Sequence, residues 1–138
     1  MSETLVLDSF AVLALLSKEP GSDGVADLLR RAQEGEVRLL ISWVNAGEVA
    51  YIVERRWGIG RLHAALAMLE ATALEIMPVE RELTLLAAHI KADHAIAYAD
   101  AFAAALAQYT EATLVTGDPE FELLADVLDI RWLPHRKQ

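Results

Sequence analysis

The feature that most constrains this chain is an alternation. Short apolar runs of strand length are separated, one after another, by stretches with helical periodicity. Residues 4–7 (TLVL), 37–41 (VRLLI), 74–77 (LEIM), 112–116 (ATLVT) and 130–133 (IRWL) are the strand-like runs. Between them, residues 22–34 place Val25, Leu28, Leu29 and Ala32 on the i, i+3, i+4, i+7 stripe of an amphipathic helix that Gly35 ends. Residues 10–16, 61–70, 80–93 and 98–109 read as helices too, as does a stretch running from the N-cap Ser42 to Trp57. Strands joined through helices pair in parallel, with the helices packed on both faces. The expected fold is α/β, in three layers α/β/α around a mostly parallel sheet of four to five strands. No repeat, low-complexity tract or linker interrupts the pattern, so residues 1–138 read as one domain with a frayed tail at 134–138.

Composition enters as a set of exclusions. An apolar fraction of 54% excludes a disordered chain. The longest apolar runs, residues 10–16 and 101–107, are seven residues each, against about 20 needed to span a bilayer. The first of them is not expected to be a secretory leader: no basic segment precedes it, and Asp8 stands where its apolar stretch would begin. The absence of Cys removes disulfides, thiolate metal sites and cysteine nucleophiles, and fits a cytoplasmic protein. A net charge of −9 has the wrong sign for a protein that grips nucleic acid through a basic surface.

Four acids stand out by position. In a parallel sheet, working groups gather beyond the carboxyl ends of the strands. Asp8 ends the first strand run and Asp118 follows the fourth by two residues. Asp100 opens the helix that feeds the fourth strand, which must start from the same edge. Glu48 lies six residues past Ser42, about 9 Å down its helix and within reach of the edge if that helix leans over it. Three of them sit among apolar neighbours, in LVLDSFAVLALL, NAGEVAYIV and AYADAFAAALA, where an unpaired acid is expensive to bury. Carboxylates converging there repel unless a cation compensates them. Oxygen-only donors favour Mg²⁺ or Mn²⁺ over Zn²⁺, and such ions suit phosphodiester chemistry with an activated water. No Gly-rich phosphate loop and no Ser–His–Asp set emerges.

The segments VLDSFAVLALL, SWVNAGEVAYIV, AYADAFAAALA and LVTGDPEF, in that order from Leu5 to Phe121, resemble the PIN-domain family, specifically the VapC-type ribonuclease toxins of type II toxin–antitoxin pairs. The family's acidic quartet falls on Asp8, Glu48, Asp100 and Asp118, and its supporting polar positions on Ser9, Thr116 and Asn45. Ser9 and Thr116 are expected to hydrogen-bond a carboxylate or a bound water. Asn45, three residues before Glu48, is expected to orient that carboxylate. One departure is Ala97, where the family often carries Ser. The resemblance implies an Mg²⁺- or Mn²⁺-dependent endoribonuclease with Asp8, Asp100 and Asp118 as ligands and Glu48 as ligand or base. It also implies an RNA substrate, 5′-phosphate and 3′-hydroxyl products, homodimerisation and a cognate antitoxin.

Other features read as ordinary structure. His89 and His94 flank Asp93 across a helix end, a poor metal geometry. Trp43, Trp57 and Trp132 read as core or interface anchors, and Arg30–Arg31, Arg55–Arg56 and Arg136–Lys137 as solvated surface. The competing functional classes are a catalytically idle binding module with the same fold, and receiver- or phosphatase-type aspartate enzymes. The second lacks its pattern: Asp8 stands alone, Phe10 occupies the position of a second Asp, and the nearest late Lys is Lys137 in the tail.

Overall fold

The computed structural model describes residues 3–134; of the tail expected to fray, only Pro134 falls within them, and residues 135–138, with the Arg136–Lys137 pair, lie outside. Five strands form one sheet: β1 (Glu3–Leu7), β2 (Val37–Ser42), β3 (Glu75–Met77), β4 (Thr113–Thr116) and β5 (Ile130–Trp132). Their spatial order is β3-β2-β1-β4-β5, and each neighbouring pair is parallel. The expected architecture is thus met at its upper strand number. Helices α1 (Ser9–Leu16) and α2 (Ser22–Gln33) connect β1 to β2, and α3 (Trp43–Trp57) and α4 (Ile59–Ala71) connect β2 to β3. Helices α5 (Arg81–Asp93) and α6 (Tyr98–Tyr109) lead to β4, and a 3₁₀ helix (Pro119–Leu124) leads to β5.

The strands are apolar along their length because both faces of the sheet are covered. Leu5, Leu7, Leu39, Ile41 and Val115 point to one side, where Val12, Val25, Leu28, Val49, Val53 and Leu69 pack on them. Val6, Leu40 and Leu114 point to the other, against Leu83, Ala87, Ile90, Phe102, Leu106 and Phe121. The alanines of α6 from Ala101 to Ala107 are all buried. Their small side chains let the helix sit close to the sheet, which carries Asp100 toward the strand ends.

Most boundaries differ from expectation by a residue or two, and at two helix starts the local reason is plain. Helix α1 begins at Ser9 because Asp8 itself caps it, its side chain accepting from the Ala11 amide. Helix α4 begins at Ile59 rather than Arg61 because Gly58 alone, at φ 90°, makes the break after α3. The tryptophans read from sequence as core or interface anchors; Trp43, Trp57 and Trp132 are 45%, 38% and 42% exposed, so none of them anchors either core, and their rings lie at the surface. Among the described residues, no helix is long and apolar enough to cross a membrane.

Candidate active site

Strands β1 and β4 are neighbours, and the connections that follow them leave in opposite directions, β1 toward β2 and β4 toward β5. The carboxyl ends of this pair are therefore the topological switch point, where a crevice opens. Asp8 follows β1 directly and is 1% exposed. One carboxylate oxygen, Oδ1, accepts the Ala11 amide at 2.8 Å, and Oδ2 accepts the Thr116 hydroxyl. Burial nevertheless dominates and pushes the Asp8 carboxyl up to about 7; those two bonds pull it back, and the charge of Asp118 adds to the rise.

Thr116, the last residue of β4 and fully buried, acts on both sides of the crevice. Its Oγ1 donates to Asp8 and accepts the Asp118 amide at 3.0 Å. Asp118 then caps the 3₁₀ helix, accepting the Glu120 amide at 3.0 Å, with Pro119 preset at the first helical position. Gly117 between them is dictated by space. A Cβ there would overlap Phe10 Cε1, lie 2.9 Å from Cζ and 3.2 Å from the Leu133 carbonyl oxygen. The ring of Phe10 thus presses against the turn that aims Asp118.

Asp100 sits in the first turn of α6 and is half-buried. Burial is the largest influence on it, followed by the negative charges of Asp118, Asp8, Glu48 and Glu120; together they push its carboxyl up to about 8. All four expected acids therefore act on one point. The tightest group is different, however: single carboxylate oxygens of Asp100, Asp118 and Glu120 lie within 4.8 Å of one another. Glu120 was not foreseen. It is exposed in the run PEFEL, where an acid reads as surface. The available signal was its place two residues after Asp118, in the same turn.

The supporting residues divide. Thr116 bonds a carboxylate as expected. Ser9 does not: its hydroxyl donates to the Asn45 carbonyl at 3.2 Å and accepts from Asn45 Nδ2 at 3.3 Å. Asn45 does not reach Glu48 either. Both Nδ2 hydrogens are used, on Ser9 and on the Ala99 carbonyl at 3.0 Å, while Oδ1 accepts the Ser42 hydroxyl at 2.6 Å. Asn45 is fully buried and cross-links three helices: α1 beside Asp8, α3 carrying Glu48, and α6 beside Asp100. Its effect on the acids is exerted through their backbones. Ala97 caps α6 with no side-chain hydrogen bond, which is what loss of the family's hydroxyl leaves. His89 meets Asp93 at 3.5 Å on the exposed face of α5, and His94 Nδ1 lies 3.1 Å from the Ile90 carbonyl, consistent with their reading as ordinary structure.

Among the described residues, none of Asp8, Glu48, Asp100, Asp118 and Glu120 has a cationic partner. Three carboxylates that reach one point, Asp100, Asp118 and Glu120, with the charges of Asp8 and Glu48 acting beside them, fit a hard divalent cation such as Mg²⁺ or Mn²⁺.

The model of the PIN domain matches residues 5–127. The chain belongs to the PIN-domain family. No match to a curated protein was found. Among solved structures, VapBC2 from Rickettsia felis, bound to a DNA fragment from the promoter, is 20% identical with a TM-score of 0.77, over 95% of this chain and 99% of that one. DNA-bound VapBC from Salmonella typhimurium is 19% identical, TM-score 0.74, over 95% and 98%. Mycobacterium tuberculosis VapC20, a toxin that cleaves the sarcin-ricin loop, is 19% identical, TM-score 0.67, over 90% and 95%. At these identities the likeness is one of fold, and this PIN domain shares it over nearly its whole length.

Proposed function

We propose that this PIN domain is a divalent-cation-dependent endoribonuclease and the toxin of a toxin–antitoxin pair, working as a single domain, as a homodimer, in the cytoplasm. The observation that carries the reading is the convergence on Asp100: a carboxyl raised to about 8 by its burial and by four neighbouring acids at the switch point, none of them paired with a cation among the described residues. A site for an organic anion would not concentrate uncompensated negative charge. A site for Mg²⁺ or Mn²⁺ needs it.

Asp100, Asp118 and Glu120 are the residues proposed to hold the cation most directly, with Asp8 completing the set. When bound, the cation supplies Lewis acidity: it draws charge from a phosphate oxygen and acidifies water. Thr116 fixes Asp8 and Asp118 relative to each other, so that their oxygens face the crevice before any ligand arrives. Glu48, partly exposed on α3, either adds a ligand oxygen or accepts a proton from the attacking water. Asn45 keeps α1, α3 and α6 in register so that the acids stay together.

RNA as substrate and an antitoxin as partner are supported by the kinship of fold with VapBC complexes and with a toxin described as cleaving the sarcin-ricin loop. The test is cleavage of a structured RNA by purified protein with and without EDTA, and with added Mn²⁺. Cleavage that EDTA abolishes and Mn²⁺ restores supports the reading; cleavage undiminished by EDTA defeats it. Growth arrest on expression, relieved by the product of an adjacent reading frame, separates a toxin from a housekeeping nuclease.

A further inference from the structure

Eight arginines fall among the described residues, and five of them face an acid. Arg30, Arg31, Arg38, Arg81 and Arg131 each lie within 4.0 Å of a carboxylate. The three that face none, Arg55, Arg56 and Arg61, are gathered at one place, the tip where α3 turns into α4. Each lies instead over an exposed aromatic ring. Arg55 is 5.3 Å from the Tyr51 centroid, Arg56 is 6.0 Å from that of Trp57, and Arg61 is 5.3 Å from Trp57 on its other helix. Tyr51 and Trp57 are 50% and 38% exposed. In a chain of net charge −9, residues 49–69 hold these three arginines against a single acid, Glu54.

We propose that this tip grips single-stranded nucleic acid: the arginines swing from the rings they cover to take backbone phosphates, and bases stack on the exposed rings in their place. Uncompensated guanidinium groups interleaved with exposed rings are the chemistry of sequence-tolerant strand binding. A purely apolar segment would use the rings alone and a purely acidic one the charges alone, whereas a nucleotide strand brings a phosphate and a stacking base at every step. Position adds to the argument. Tyr51 and Arg55 fall three and seven residues after Glu48, on the same stripe of α3. Arg55 is about 10 Å along the axis from Glu48, a distance of a few nucleotides. A strand leaving the carboxylate crevice along α3 would meet the tip. The proposal takes from the ribonuclease reading only that the strand is RNA, and it supplies the positive surface that the acidic crevice lacks.

The test is binding of the full chain to a short fluorescein-labelled oligouridylate by fluorescence anisotropy, in EDTA so that nothing is cleaved, over a series of salt concentrations. The expected result is that the Arg55→Gln/Arg56→Gln/Arg61→Gln variant lowers the slope of log K against log salt by about 2, since each single-strand phosphate contact contributes about 0.7. Trp57→Ala weakens binding about tenfold. The same triple change should leave the Mn²⁺-binding isotherm as in the parent, which verifies the fold independently of RNA. Arg30→Gln/Arg31→Gln on α2 is the control for charge alone. Equal affinity and slope in the triple variant and parent would overturn the proposal, as would an equal loss in the α2 control. Poly-glutamate bound through the same arginines as tightly as the oligouridylate would overturn it in favour of a protein partner. Because EDTA-sensitive cleavage is measured separately, a failure here leaves the ribonuclease reading standing, and a failure there leaves the grip.

Discussion

Two regions of this molecule carry unbalanced charge, and they are built in opposite ways. At the switch point, five acids converge beside buried, hydrogen-bonded supports: Thr116, Asn45, Ser9 and Ser42, like Asp8 among the acids, are each at most 5% exposed. At the α3–α4 tip, three arginines stand in water over exposed rings, and Val53 is the only residue from Tyr51 to Arg61 that reaches a core. Burial turns charge into a constraint: the carboxyls of Asp8 and Asp100 rise to about 7 and about 8 because the folded state disfavours their anions. Exposure leaves charge free to act at a distance and at little structural expense. The edge should therefore be sensitive to every substitution, and the tip should tolerate substitution in everything except binding.

The largest effects are expected at the edge, in activity. Asp118→Asn or Asp100→Asn should reduce RNA cleavage by more than about 100-fold, beyond the loss typical of groups that only support a ligand. Asp8→Asn should do the same: its single carbonyl oxygen can still accept the Ala11 amide, but its NH2 cannot accept the Thr116 hydroxyl. Glu120→Gln is the sharper case, because it asks whether the unforeseen acid belongs to the site; a loss of about tenfold or more would include it, and full activity would leave it as a surface acid.

The next effects are on stability and activity together. Asn45→Ala leaves the Ser42 hydroxyl and the Ala99 carbonyl without their partner and should cost about 2–4 kcal/mol in chemical denaturation. Mn²⁺ affinity should fall with it, by about 10- to 100-fold, because three acids lose their common brace. Gly117→Ala should cost about 1–3 kcal/mol by displacing the Phe10 ring.

How far the edge was legible from sequence follows from the same contrast. Strand-end logic located Asp8 and Asp118 because both follow apolar runs whose direction a parallel sheet fixes. Asp100 was legible because its helix must start at the same edge. Glu120 was not, since neither apolar neighbours nor periodicity marks it; only the 3₁₀ turn folds it back onto Asp118. Asn45 was located but given the wrong partner. Helical spacing relates it to Glu48, whereas its amide is directed by the packing of α1 and α6, which no local pattern encodes. The tip was the least legible region. Trp57 read as a core or interface anchor and Arg55–Arg56 as solvated surface, and neither reading brings ring and guanidinium together; that depends on α4 turning back at Gly58.

A smaller effect concerns pH, and its sign follows from the raised carboxyls. An acid whose folded pKa lies above its unfolded value stabilises the fold below the unfolded pKa, and that contribution is lost as pH rises through the folded one. Without divalent cation, the melting temperature should therefore fall from about pH 4 to about pH 9, most steeply between the ordinary and the raised values and levelling off as pH passes the raised ones. Asp100→Asn should flatten this fall and melt higher than the parent at the alkaline end. Saturating Mn²⁺ should flatten it as well, since a bound cation replaces the missing proton. The smallest effect belongs to the tip, where the triple arginine variant should change stability by less than about 0.5 kcal/mol.

The most direct measurement is a calorimetric titration of Mn²⁺ into the purified protein at two pH values, beside the Asp100→Asn variant. Saturable binding that tightens from about pH 6 to about pH 8, releases protons at the lower pH, and is lost in the variant is the predicted result. No saturable binding in the parent, or the same isotherm in the variant, would contradict the claim that these carboxylates are gathered to hold a cation.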